Sequence, residues 1–77
     1  MKATLLAWAQ AKTLVGFEQK AFEFDPAERV FDVIERVCGD ASELQFCRVA
    51  VNQRIHDWDA PIGDAVEVAL IPPVSGG

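Results

Sequence analysis

Apolar positions along this chain fall into short blocks, and their spacing changes twice. KATLLAWAQ is apolar and ends at a polar break, which predicts a strand over residues 2–9. AKTLVG then allows one helical turn, stopped by Gly16. FEQKAFEF, residues 17–24, reads as a second strand with Phe22 and Phe24 on one face, although Phe17 falls out of register with them. The period then lengthens. Val30, Phe31, Ile34, Val37 and Cys38 recur as one helical stripe, with Asp32, Glu35 and Arg36 on the wet side. The ends agree with a helix: Asp25 stands as N-cap, Pro26 at the first helical position, Glu28 as the acid of a capping box, and Gly39 as the stop.

Alternation by two returns in FCRVAVN, with Cys47, Val49 and Val51 on one face and Arg48 and Ala50 on the other. DWDAPIGD is a turn region built from Asp, Pro and Gly. AVEVALI is the last strand; Val66, Val68 and Leu70 face inward, and Glu67, Ala69 and Ile71 face outward. The order is strand, strand, helix, strand, strand. One helix and about four strands close a core only when the helix lies across one sheet face, a two-layer α+β arrangement. The first and last strands are apolar enough to be central, where they would be parallel neighbours.

Size and composition narrow the classes. At 77 residues and 51% apolar content the chain makes one small globular domain. Chains of this size bury only about 60% of their unfolded surface. No repeat, low-complexity segment or internal boundary is visible. A net charge of −5 argues against a nucleic-acid partner, which requires a basic surface. ATLLAWA, seven residues, is too short to cross a membrane, and no basic lead or cleavage site accompanies it. Cys38 and Cys47 lack C-x-x-C spacing and a single His makes zinc implausible, so both read as buried thiols of a cytoplasmic protein.

The candidate chemistry lies in IPPVSGG. Pro72 and Pro73 donate no ladder hydrogen bonds, so the last strand ends there, and proline favours an extended, stiff exit. Val74 and Ser75 taper the bulk; Gly76 and Gly77 remove it. Six residues reach roughly 20 Å at about 3.3–3.6 Å each. A thin tip carrying a carboxylate suits insertion into a narrow site on another protein. There ATP can activate it for attack by a sulfur nucleophile or an amine. Other polar residues read more plainly. His56 and Asp57 have no nucleophile with them, Asp57 and Asp59 are turn formers, and Arg48 and Arg54 read as solvated charges ahead of the alternative that they pair with a partner's acids. No phosphate-cradling glycine loop is present, so the chain binds no cofactor itself and the ATP site belongs to a partner.

VALIPPVSGG closely resembles the end of the small, sulfur-carrying subunit of molybdopterin synthase, in the ubiquitin-like superfamily. AVNQRIHDWDAPIGDAVEV resembles the stretch before that end, and LLAWAQAKTLVG resembles the family's first strand and short helix. The resemblance implies a β-grasp fold: a mixed sheet of four to five strands on one main helix over residues 1–71, with an extended tail over 72–77. It also implies a cycle. An E1-like enzyme adenylates Gly77, a sulfurtransferase system converts it to a thiocarboxylate, and the tail delivers sulfur to a cyclic pyranopterin in the synthase's large catalytic subunit. Trp8, Ile55 and Ile71 match apolar surface positions with which the family holds partners. Three alternatives stay open: a carrier for thiamin or another metabolite, a ubiquitin-like modifier joined through Gly77 to lysine, and a small binding module with an idle tail. One departure stands out. Where the family often writes Asp-Gly-Asp-Glu-Val, this chain has Asp64, Ala65, Val66, Glu67 and Val68, which puts the geometry of that turn in question.

Overall fold

A computed structural model describes residues 1–7, 16, 18–39 and 42–72. The helical turn expected over 11–16, the strand positions Trp8 and Ala9, Phe17, and residues 73–77 of the tail lie outside the described residues, Gly16 excepted.

The elements are β1 (Lys2–Ala7), β2 (Gln19–Glu23), α1 (Val30–Cys38), a 3-10 turn (Ser42–Leu44), β3 (Arg48–Val51), β4 (Arg54–His56) and β5 (Glu67–Ile71). The strands form one mixed sheet in the order β2-β1-β5-β3-β4. β1 and β5 are parallel neighbours at its centre, with Leu5 opposite Val68 and Ala7 opposite Leu70. The β1–β2, β3–β5 and β3–β4 pairs are antiparallel. The central placement expected for the first and last strands is therefore what forms. Both strands carry continuous apolar runs, LLA in β1 and VALI in β5, as suits central strands.

α1 packs across one face and completes the core. Leu5, Val30, Val33, Ile34, Val49, Val68 and Leu70 are fully enclosed. Phe22 and Phe24 extend this core beneath β2, their rings 5.6 Å apart. The helical stripe is centred differently from the expected one. Val33, absent from that stripe, is buried with Val30 and Ile34, whereas Phe31, Val37 and Cys38 are half-buried at its margins.

The helix also starts later than its sequence signals suggest. Its N-cap is Arg29, which makes no side-chain capping bond. Half of the expected box forms, one turn early: Asp25 N donates to Glu28 Oε1 (2.8 Å), but Asp25 Oδ1 accepts from Ala27 N (2.9 Å) while Glu28 N donates to the Asp25 carbonyl. These bonds close the turn ahead of α1. The first helical N–H groups find other acceptors, Val30 donating to Ala60 O (3.0 Å) and Phe31 to Trp58 O (2.9 Å). A helix N-terminus must satisfy its free donors, and loop carbonyls serve as well as a capping side chain.

The same loop is fastened in the reverse direction. Ile62 N donates to Glu28 O and Gly63 N to Pro26 O. Trp58 Nε1 donates to Cys47 O at 3.1 Å, and its ring meets Phe31 edge-on at 6.4 Å. Arg29 bridges Asp32 and Asp59, while Arg36 pairs with Glu28 and donates to Glu23 O. Both cysteines are free, Cys47 buried and Cys38 half-buried, and burial pushes both thiols up.

β4 is the element missing from the sequence reading. It pairs with β3 through a two-residue turn in which Asn52 (φ 52°) and Gln53 (φ 67°) both occupy the left-handed region, as a type I′ hairpin requires. Asn tolerates that region through local hydrogen bonding, but Asn-Gln lacks the glycine that usually announces such a turn.

Candidate functional site

The sheet face opposite α1 is built from residues that alternate with the core positions. Directly paired residues share a face, so the register places Ile55, Ala50, Ala69 and Leu6 in one row crossing four strands: Ile55 opposite Ala50, Ala50 opposite Ala69, and Ala69 beside Leu6. Ala50 and Ala69 are buried without joining the core cluster, and Leu6 is half-buried. Ile55, at the margin, is 58% exposed. The next row along β5 places Arg48 opposite Ile71, with Arg48 exposed and Ile71 half-buried. The result is an apolar floor with small residues at its centre and larger ones at its rim.

β5 runs along this floor and hands the chain to Pro72, which is half-buried and follows the last ladder residue. Because proline has no N–H to continue the ladder, the strand stops where the floor ends. The structure thus brings Ile55 and Ile71 onto one face, with Pro72 leaving from its edge. Of the other expected site residues, Trp8, Pro73, Val74, Ser75, Gly76 and Gly77 lie outside the described residues.

The opposite end of β5 is held by a residue that sequence reasoning missed. Asn52 Oδ1 accepts from Val66 N (2.8 Å) and Glu67 N (3.1 Å), and Asn52 Nδ2 donates to Asp64 O (3.2 Å). One side chain therefore satisfies three backbone groups at the entry to the strand. Its signal was present in the sequence as an Asn following a strand, a residue type that mimics backbone turns, but its partners lie 12 to 15 residues away.

This latch also answers the doubt about residues 64–66. Ala65 is buried, and among the described residues the only non-glycine positions with positive φ are Asn52 and Gln53. The turn therefore demands no glycine at 65. Val66, expected to face inward, is instead 71% exposed. Its N–H is engaged by Asn52 and the regular strand begins only at Glu67, so it stands outside the alternation that buries Val68 and Leu70.

The remaining polar candidates serve the fold. His56 Nε2 donates to Pro61 O at 2.9 Å, and Asp57 Oδ1 accepts from Asp59 N at 3.0 Å, an Asx-type turn. The two side chains thus engage the loop backbone, as expected for the turn former Asp57. Among the described residues no three His, Cys, Asp or Glu side chains gather as metal ligands, and no helix is long and apolar enough to cross a membrane.

A small apolar floor on a five-stranded β-grasp sheet, with a Pro-led segment leaving its edge, invites comparison with proteins of that design. The profile of the ThiS family matches residues 5–77. The chain belongs to the ThiS family. A molybdopterin synthase sulfur carrier subunit of Chlamydomonas reinhardtii is 30% identical to this ThiS-family chain over 84 residues, covering both proteins completely. Among solved structures, SAMP1 from Haloferax volcanii superposes with a TM-score of 0.78 at 19% identity, with both chains fully covered. Subunit 1 or 2 in the complex of the molybdopterin-converting factor from Helicobacter pylori superposes with a TM-score of 0.66 at 22% identity, again over the whole of both chains. At those identities the likeness to the solved structures is one of fold. It agrees with the β-grasp architecture expected for this ThiS-family protein.

Proposed function

We propose that this ThiS-family protein is the sulfur-donating small subunit of a molybdopterin synthase and that Gly77 bears the sulfur. The observation that carries this reading is the full-length relationship to a molybdopterin synthase sulfur carrier subunit. The geometry supports it: a central strand runs along an apolar floor into Pro72, and the sequence beyond tapers to glycine.

In this reading the chain contributes one carbonyl carbon and the means to deliver it. An E1-like enzyme joins the Gly77 carboxylate to AMP from ATP, releasing pyrophosphate. A persulfide-bearing sulfurtransferase then displaces AMP, and reduction of the resulting acyl disulfide by a thiol leaves a thiocarboxylate. The outer floor, with Ile55 and Ile71, docks on the large catalytic subunit, Trp8 adds to that contact as the family resemblance implies, and Pro72, Pro73, Val74, Ser75 and Gly76 thread Gly77 into its active site. Sulfur passes there to the cyclic pyranopterin. Two transfers are needed for each dithiolene, so spent carriers leave and are recharged. The partner supplies the catalytic side chains.

Mass spectrometry tests the reading. After incubation with the activating enzyme, ATP and the sulfur source, the chain should gain the mass difference of sulfur for oxygen, localised to Gly77. The charged form should then convert pyranopterin when the large subunit is added. An unchanged mass with competent partners, or accumulation of Gly77–lysine amide adducts in its place, would count decisively against it.

A further inference from the structure

We propose that Arg48 fixes the orientation of docking, by pairing with a carboxylate that the large subunit presents beside the entrance for the tail. The inference rests on the docking role given above to the outer floor.

The described arginines divide sharply. Arg29 and Arg36 on the helix side are each engaged by carboxylates. The Arg48 side chain has no ion pair or hydrogen bond among the described residues, in a chain carrying 12 acidic residues against 7 basic ones. Its position is specific. The β3–β5 register sets it directly opposite Ile71, one residue before Pro72, on the same face as Ala50 and Ala69. Any surface that covers Ile71 at the tail's exit also covers the Arg48 side chain.

A guanidinium drawn from water without a counter-charge is costly. Arg48 therefore rejects a purely apolar partner at this corner and favours one with a carboxylate there. The planar fork of Arg suits two parallel hydrogen bonds to that carboxylate. At the other end of the same strand face the corresponding position is Glu67, half-buried and opposite Thr4. Along β5 the floor thus reads acid, alanine, isoleucine with a neighbouring arginine. A partner bearing the reverse order of charge docks with the tail aimed one way only. Charge at the rim of an interface governs encounter and register more than raw affinity.

Arg54 supplies the matched control. It is exposed and has no ion pair among the described residues, but it pairs with Val51 and so belongs to the opposite face of edge strand β4. Binding of the full carrier to the large subunit would be measured by surface-based kinetics across a salt series. Arg48→Glu should weaken binding at least about 30-fold, as expected when one member of a covered charge pair is removed. It should also flatten the salt dependence, whereas Arg48→Lys should retain much of the affinity. Arg54→Glu should stay within about twofold, since a solvated charge away from the contact contributes little. Thermal melts of each variant should match the parent, both side chains being exposed.

If the parent binds and acquires sulfur at Gly77 but Arg48→Glu binds as well as the parent, the pairing is wrong and the carrier function stands. Equal losses from Arg48→Glu and Arg54→Glu would also overturn it, by showing that net charge rather than position matters. A parent that neither binds the large subunit nor acquires sulfur removes both readings together.

Discussion

The two faces of this sheet are made by the same strands and solve different problems. On the inner face Leu5, Val49, Val68 and Leu70 are fully enclosed beneath Val30, Val33 and Ile34 of α1. On the outer face Leu6, Ala50, Ala69, Ile71 and Ile55 are also apolar, yet no described element crosses them. A sheet face left to water is ordinarily polar. Lys2, Thr4, Gln19, Glu23, Glu67 and Arg48 follow that rule on the outer face, whereas one patch departs from it with a gradient of size, alanine at its centre and isoleucine at two margins. A flat floor lets another protein approach closely, and larger rim residues supply contact area. The inner face holds the domain together; the outer one is suited to holding something else.

Adjacent residues on opposite faces give the largest test. Leu70 is fully enclosed and Ile71 half-buried. Leu70→Ala should lower stability by about 2–5 kcal/mol, the range for cavity-forming core truncations, whereas Ile71→Ala should cost less than about 1 kcal/mol because water already reaches the site. Urea unfolding monitored through the two tryptophans reads both values. Equal losses would mean that the outer face is as much a part of the fold as the inner one.

The second test reverses the contrast. Ile55→Asp places a charge on a side chain that is 58% exposed, so stability should change by no more than about 0.5 kcal/mol. Binding to the large subunit should nevertheless weaken by about 2 kcal/mol, the threshold of an interface hot spot. Calorimetric titration of the folded variant measures the second quantity and a denaturation curve the first. Unaltered binding would remove Ile55 from the docking floor.

Much of this contrast was legible before the fold was known. Alternation in AVEVALI placed Val68 and Leu70 inside and Ala69 and Ile71 outside, and the apolar first and last strands announced their central parallel pairing. Local pattern sufficed there because strand alternation is a property of neighbouring residues. It failed where distant residues decide. Asp25 and Glu28 form half of the capping box that was expected, but α1 begins at Val30, where Ala60 and Trp58 carbonyls accept its first N–H groups. Val66 faces out and β4 exists because Asn52 takes a left-handed conformation and grips residues 64–67. Within the site, Ile55 and Ile71 could be placed together through family resemblance, whereas the row through Ala50, Ala69 and Leu6 required the register.

The smallest expected effect separates the faces by their arginines. On the helix side, the hydrogen bond from Arg36 holds the Glu28 carboxyl below its ordinary range, and that from Arg29 does the same for Asp32. A carboxylate whose value is lowered on folding contributes stability that is fully present above its unfolded value. That contribution disappears as pH falls through the lowered folded value. All four side chains are substantially solvated, so the slope should be shallow. Thermal melts taken from neutral pH down through the carboxylate range should therefore show a slightly smaller acid-side loss in Arg36→Gln than in the parent, because the variant has less of this contribution to lose. Arg48→Gln should superimpose on the parent, since Arg48 engages no acid among the described residues. If Arg48→Gln also reduced the acid-side loss, an intramolecular carboxylate would already occupy that guanidinium. The outer face would then lack the unpaired charge that distinguishes it from the inner side.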